Sequence, residues 1–168
     1  MRIFIFFFIF FFFFGCSKHY PSLKTVDRVD LNAYLGTWYE IARYEHFFEK
    51  GCSDVNATYT LKKNGNISVL NQCMKADGLS KAKGVAYTTD TSNAKLKVSF
   101  FRPFYGNYWI LMLGEKYEYA LIGEESREYL WILSRTKKLN NEVIKMILKK
   151  LPELGYTKEK LIWTIQKD

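Results

Sequence analysis

Apolar and polar residues alternate along most of this chain in short runs. In "VNATYTL", Val55, Ala57, Tyr59 and Leu61 fall on one side and Asn56, Thr58 and Thr60 on the other. A period of two predicts a half-buried β-strand. Asn64-Gly65 follows as a turn, after which Ile67, Val69 and Asn71 share a face. A three-residue loop over 63–65 sets Lys62 against Asn66, Leu61 against Ile67 and Val55 against Cys73, so that inward sides meet. Further strands are predicted at about 80–90, 94–102, 107–114, 117–123 and 128–134; in "AKLKVSF", Leu96, Val98 and Phe100 oppose Lys95, Lys97 and Ser99. With residues 38–44 this makes eight. Eight short antiparallel strands with tight connections predict an all-β, up-and-down barrel, which leaves no edge exposed.

The period changes after residue 139. Val143, Ile144, Ile147, Leu148 and Leu151 form a stripe at helical spacing, Asn140 can cap it, and Pro152 and Gly155 mark its end. This one C-terminal helix is expected to pack on the barrel wall and to carry no site. A last strand, "LIWTIQ", returns alongside.

The first residues follow neither pattern. Arg2 precedes "IFIFFFIFFFFF", then Gly15 and Cys16. Twelve helical residues reach roughly 18 Å, short of a bilayer core of about 30 Å. The pattern predicts a signal peptide over 1–15. Gly15-Cys16-Ser17 resembles a bacterial lipoprotein cleavage site, which implies that Cys16 becomes the acylated N-terminus and that the protein sits at the outer membrane, lipid-anchored and facing the periplasm. Residues 16–29, polar with Pro21, are read as a tether to a domain over 30–168.

The net charge is +8. Its lysines are scattered in pairs along the sequence, so a solvated basic surface is expected rather than a nucleic-acid site. With Cys16 acylated, Cys52 and Cys73 are left as an even pair, and a disulfide is the default in an oxidising compartment. The register above sets Val55, not Cys52, opposite Cys73, so the bond requires the chain at 51–54 to bend back.

Several stretches together resemble the lipocalin family, and most closely its bacterial outer-membrane lipoproteins in the apolipoprotein D group. "GTWYEIARY" (36–44) resembles the first lipocalin motif and "YLWILSR" (129–135) the third; "KVSFFRPFYGNYW" (97–109) resembles the bacterial branch, and Glu115 keeps the acid of the second motif. The resemblance covers roughly 29–166. It implies that Trp38 plugs a closed base, that Arg135 stacks across it and that Gly36 allows the turn beneath.

An eight-stranded barrel can hold one small ligand. Alternation names Ala42, Tyr44, Ala57, Tyr59, Val69, Val85, Tyr87, Leu96, Val98, Phe100, Trp109, Leu111, Trp131 and Leu133 as its lining. Topology gathers Phe47, Phe48, Phe101, Phe104 and Tyr105 at the open mouth, either packed as a lip or serving as a hydrophobic gate. Lys50, Lys75 and Arg102 stand near it, as plain surface or as contacts for a head group. The resemblance implies a fatty acid or lysophospholipid as ligand, with a role in membrane maintenance; a homodimer is left open. Two other readings stand beside this one: an enzyme using Cys73 as a free nucleophile, and a haem or pigment carrier using His46. No cofactor, metal or nucleic acid is expected.

Overall fold

The structure, a computed structural model, describes residues 21–167. Cys16 and the apolar run before it lie outside them. The strands are β1 (Gly36–Tyr44), β2 (Ser53–Leu61), β3 (Ile67–Lys75), β4 (Gly78–Thr88), β5 (Lys95–Phe101), β6 (Phe104–Leu113), β7 (Tyr119–Gly123), β8 (Leu130–Ser134) and β9 (Leu161–Trp163), with helices α1 (Leu31–Tyr34) and α2 (Asn141–Lys150). Each of β1 to β7 pairs antiparallel with the next, and β1 pairs with both β2 and β8. The result is a closed eight-stranded barrel.

The β2–β3 hairpin follows its alternation. Leu61 pairs with Ile67 and Tyr59 with Val69, and the Lys62 N–H donates to the Asn66 carbonyl at 2.8 Å. Toward the open end the register slips between Ser53 and Asn56, so Ser53 pairs with Met74. Asp54 at the slip has φ 50°. This bulge supplies the required bend: Cys52 and Cys73 are joined as a disulfide across a Cα separation of 5.4 Å.

The base is closed by one aromatic and one cation. The Trp38 side chain is fully buried, and its indole N–H donates to the Tyr34 carbonyl at 2.8 Å. The Arg135 guanidinium lies 3.9 Å from the Trp38 ring centroid. It also donates to the carbonyls of Thr37 (2.9 Å), Ala33 (2.6 Å), Tyr34 (3.1 Å) and Tyr117 (3.2 Å). Gly36, at φ 91°, turns the chain beneath. One side chain thus ties the short helix α1, β1 and the β6–β7 connection together.

The outer face has its own core. Ile147 and Leu151 are fully buried against Ala42, Leu121, Leu130 and Ile132, and the Asn140 side chain caps α2 by accepting from the Glu142 N–H at 2.7 Å. β9 lies beside the mouth half of β1, where β2 has peeled away. Gln166 bridges the gap, donating to the carbonyls of Glu40 and Val55, both at 2.8 Å.

Residues 21–29, within the stretch read as a tether, are packed on the barrel. Leu23 and Val29 are buried, the Val26 N–H donates to the Ile110 carbonyl, and the Val29 N–H donates to the Ser92 carbonyl. The spacing of Leu23, Val26 and Val29 is the signal that betrays this strap.

Replacing Arg135 with Ala is expected to cost about 2–3 kcal/mol, because the charged hydrogen bonds and the ring contact are lost together. Urea denaturation reads the loss as a lower midpoint with an unchanged slope. Reducing Cys52–Cys73 is expected to remove about 3 kcal/mol, in proportion to a closed loop of 21 residues; non-reducing peptide mapping should recover one fragment carrying both residues.

Candidate functional site: a cavity closed at the base

With Trp38 as plug, the barrel encloses a cavity of about 750 Å³ that opens at the opposite end. Such a volume holds one small-molecule ligand. Ala57, Tyr59, Val69, Val98, Phe100, Trp131 and Leu133 line it, as does Val55. Leu96 lies just below, in the core around Trp38. At the floor the phenols of Tyr34, Tyr59 and Tyr108 form a chain, with O···O separations of 2.7 Å and 3.0 Å about Tyr108. Burial raises all three pKa values, Tyr59 to about 12, so these groups stay neutral.

Other residues expected in the lining stand outside it, for two physical reasons. The first is a bulge. Glu40 pairs with Leu133 but Ala42 pairs with Ile132, so Ile41 is an extra residue on β1. Past it the alternation inverts: Ala42 and Tyr44 join the core under α2. The second is side-chain size. In β4 the inward positions are Ser80, Ala82, Gly84 and Ala86, small residues that leave the cavity its room. The larger Val85 and Tyr87 face out, with Tyr87 meeting Tyr105 edge-on at 5.5 Å. A Cβ at Gly84 would stand 2.9 Å from the Phe100 ring and 2.8 Å from the Ser99 carbonyl, so only glycine fits there. In β6 both faces are apolar because α2 covers the outside; Tyr108 and Ile110 face in, while Trp109 and Leu111 pack outward.

At the mouth, Phe47, Phe48, Phe101, Phe104 and Tyr105 line the opening. Phe47, Phe101 and Phe104 are 86%, 77% and 71% exposed, far more than a self-packed lip would leave. Phe101 and Phe104 stack on one another at 6.3 Å. Arg102 is exposed between them and does not line the cavity.

Sequence alternation missed a buried polar cluster. The bulge turns Arg43 inward, where its guanidinium donates to Glu40 Oε1 at 2.8 Å, to Thr164 Oγ1 at 3.2 Å and to the Glu49 carbonyl at 2.9 Å. Glu49 Oε2 sits 3.5 Å from Arg43 Nε and 3.4 Å from His46 Nδ1, and the Trp131 indole N–H donates to it at 3.4 Å. Burial, then repulsion from Glu40, raises the Glu49 pKa to about 8; burial, then Arg43, lowers His46 to about 4. Both are therefore mostly neutral at pH 7. The sign of the region was legible only in hindsight, as the acids and Arg43 inside an otherwise apolar "YEIARYEHFFE".

Two alternative chemistries lose their residues here. Cys73 is half of the disulfide and offers no thiol. His46 is buried, stacked on Phe48 at 4.2 Å, and does not line the cavity. Among the described residues, no group of His, Cys, Asp or Glu is arranged to hold a metal.

The sequence matches the lipocalin-like domain family over residues 29–166. The chain belongs to that family. This lipocalin is 44% identical over 157 residues to the outer membrane lipoprotein Blc of Citrobacter freundii, covering 90% of this chain and 89% of that one. It is 42% identical over 157 residues to the Blc protein of Escherichia coli strain K12, with the same coverage. Insecticyanin from Manduca sexta shares the fold at a TM-score of 0.74 and 23% identity, covering 89% of this chain and 87% of that one. Membership of the family agrees with a cavity suited to small hydrophobic ligands.

The Glu49 shift makes a pH prediction for this lipocalin. Its folded pKa lies above the ordinary carboxyl value of 4.5, so the folded state holds a proton that the unfolded state releases. Stability from this group is present in full below pH 4.5 and is lost as pH rises toward 8. His46 opposes it only below 6.5, where the unfolded imidazole charges first. Between pH 6.5 and 8 the Glu49 contribution stands alone within the cluster. Unfolding midpoints of the parent should fall across that window relative to those of Glu49→Gln; parallel curves would refute a protonated Glu49.

Proposed function

We propose that this lipocalin binds a single-chain lipid, a fatty acid or lysophospholipid, inside the barrel and carries or stores it at the outer membrane in support of membrane maintenance. The observation that carries the reading is the cavity: deep, lined by apolar and aromatic side chains, and opening through exposed phenylalanines. An acyl chain fills such a space by shedding water from each methylene, worth about 0.8 kcal/mol apiece. The lining includes no Lys, Arg or His, while Glu40, Glu49 and Glu124 belong to it. An anionic head group therefore finds no cation inside and is better placed at the mouth, near Lys50, Lys75 and Arg102. The chain goes in tail first. The lipoprotein names of the Blc relatives and the Gly15-Cys16 site support a periplasm-facing, lipid-anchored location.

Filling the cavity tests this reading. Val98→Trp and Ala57→Trp place an indole where the acyl chain would lie. Displacing about three methylenes should weaken binding of a fluorescent fatty acid or lysophospholipid roughly fifty-fold, with the circular dichroism of the barrel retained. Tyr87→Ala, on the outer face, should leave affinity unchanged. Equal affinity in both folded cavity variants would place the ligand elsewhere.

A further inference from the structure

The strap before the barrel fixes where the chain leaves it. Val29 is bonded to the β4–β5 turn at the closed base, and Val26 to Ile110 on β6. Leu23 packs in the outer core, and the Pro21 carbonyl accepts from the Arg127 guanidinium at 2.6 Å. Arg127 lies in the β7–β8 connection, which also donates at 3.2 Å to the Leu154 carbonyl and whose Glu124 lines the cavity. β7 and β8 meet there at the open end. The strap therefore climbs from base to mouth, and the chain departs beside the opening. Four residues lie between Cys16 and Pro21, so the two are at most about 18 Å of extended backbone apart.

Strand pairing also assembles a charge pattern that is scattered in the sequence. β3, β4, β5 and β6 contain no Asp or Glu. Lys81 and Lys83 are exposed on β4. Lys97 on β5 pairs with Tyr87 on one side and Asn107 on the other, and the Tyr87–Tyr105 contact marks this as the outer face. Arg102 sits at the tip. None of these four cations has an ion-pair partner among the described residues. The face runs directly into the exposed Phe101 and Phe104. The acids at the open end, Glu45, Glu125 and Glu128, come from the opposite side, next to β1 and β8; Asp77, in the β3–β4 turn, and Asp90, in the β4–β5 connection at the base, border the basic strands.

We propose that the barrel docks mouth-down on an anionic lipid surface, leaning on the β4–β6 face. Phe101 and Phe104 enter the head-group layer, and Lys81, Lys83, Lys97 and Arg102 pair with lipid phosphates around them. The apolar tip and the basic flank match the two layers of a bilayer surface. The short span from Pro21 to Cys16 holds the opening, rather than the base, next to the membrane; this part rests on reading Cys16 as the anchor. Docked so, a lipid passes between bilayer and cavity without crossing open water.

The full chain, expressed with its N-terminus processed and placed in vesicles of phosphatidylethanolamine containing one-quarter phosphatidylglycerol, tests the orientation. A polarity-sensitive dye is attached at Phe104→Cys, at the mouth, or at Asn64→Cys, in the turn at the base. Brominated acyl chains should quench the first label and spare the second. Quenching at the base, or at neither site, overturns the proposal. Lys81→Glu, Lys83→Glu and Lys97→Glu together should weaken the mouth contact roughly hundredfold; undiminished quenching would remove the lysines from it. Mass spectrometry of the N-terminal peptide reports acylation of Cys16 separately. An unmodified Cys16 defeats the anchor reading, and the same two labels then decide whether rim and lysines alone bring the mouth down.

Discussion

Everything distinctive about this barrel follows from the closure of one end by Trp38 under the Arg135 guanidinium. A closed barrel of eight strands has two ends, and nothing in strand pairing alone distinguishes them. The indole fills the lumen, and the cation over it satisfies four backbone carbonyls that would otherwise be left where α1, β1 and the β6–β7 connection converge. That makes a floor. With a floor, the remaining space becomes a cavity of one depth and one direction, and the loops at the far end become a rim. The tyrosine chain of Tyr34, Tyr59 and Tyr108 sits directly on this floor and keeps its polar atoms paired, so the cavity above begins apolar.

The fold was legible because alternation is a local signal and eight strands repeat it. The β2–β3 register came out of the turn and the two runs from Leu61–Ile67 as far as Asn56–Gln72; beyond it the register shifts, and the expected pairing of Val55 with Cys73 is not made. The helix was marked by its stripe and its Asn140 cap. The lining was legible only where one face is plainly more apolar than the other, as in β2, β3 and β5. It was misread at β1, where the extra Ile41 flips every later residue and no residue type announces the bulge. It was misread at β4 because cavity walls prefer what is small, so that Gly84 and Ala86 point in while Val85 and Tyr87 point out. In β6, two apolar faces leave parity undetermined until the packing of α2 is known. The cluster of Arg43, Glu40, Glu49 and His46 was hidden for a related reason: charged residues in a strand read as solvent-facing unless a bulge turns them around.

Position in space also reverses the picture of surface charge. Along the sequence the lysines are dispersed pairs, each with the look of ordinary solubility. Across β4 and β5 they come to share one wall, because antiparallel pairing sets Lys97 opposite Tyr87, on the same outer face of β4 as Lys81 and Lys83. The lumen has no such cations in its lining: of its three carboxyl groups, Glu49 holds its proton at pH 7 and Glu40 is paired with the buried Arg43. Exposed basic charge is thus kept to the outside, and a ligand meets it before the lumen.

The arrangement of β9 carries a consequence for how the molecule is made. β1, the first strand, is flanked along its mouth half by β8 and β9, the last two, and Gln166 sews β1 to β2. The barrel cannot close until β8 has arrived, and the gap between β1 and β2 near the mouth is not bridged until residue 166. Through most of its emergence the chain presents β1 as an unpaired edge, with Trp38 exposed and no Arg135 to cover it. A chain that stopped short of β8 would be left as an open sheet rather than a smaller barrel.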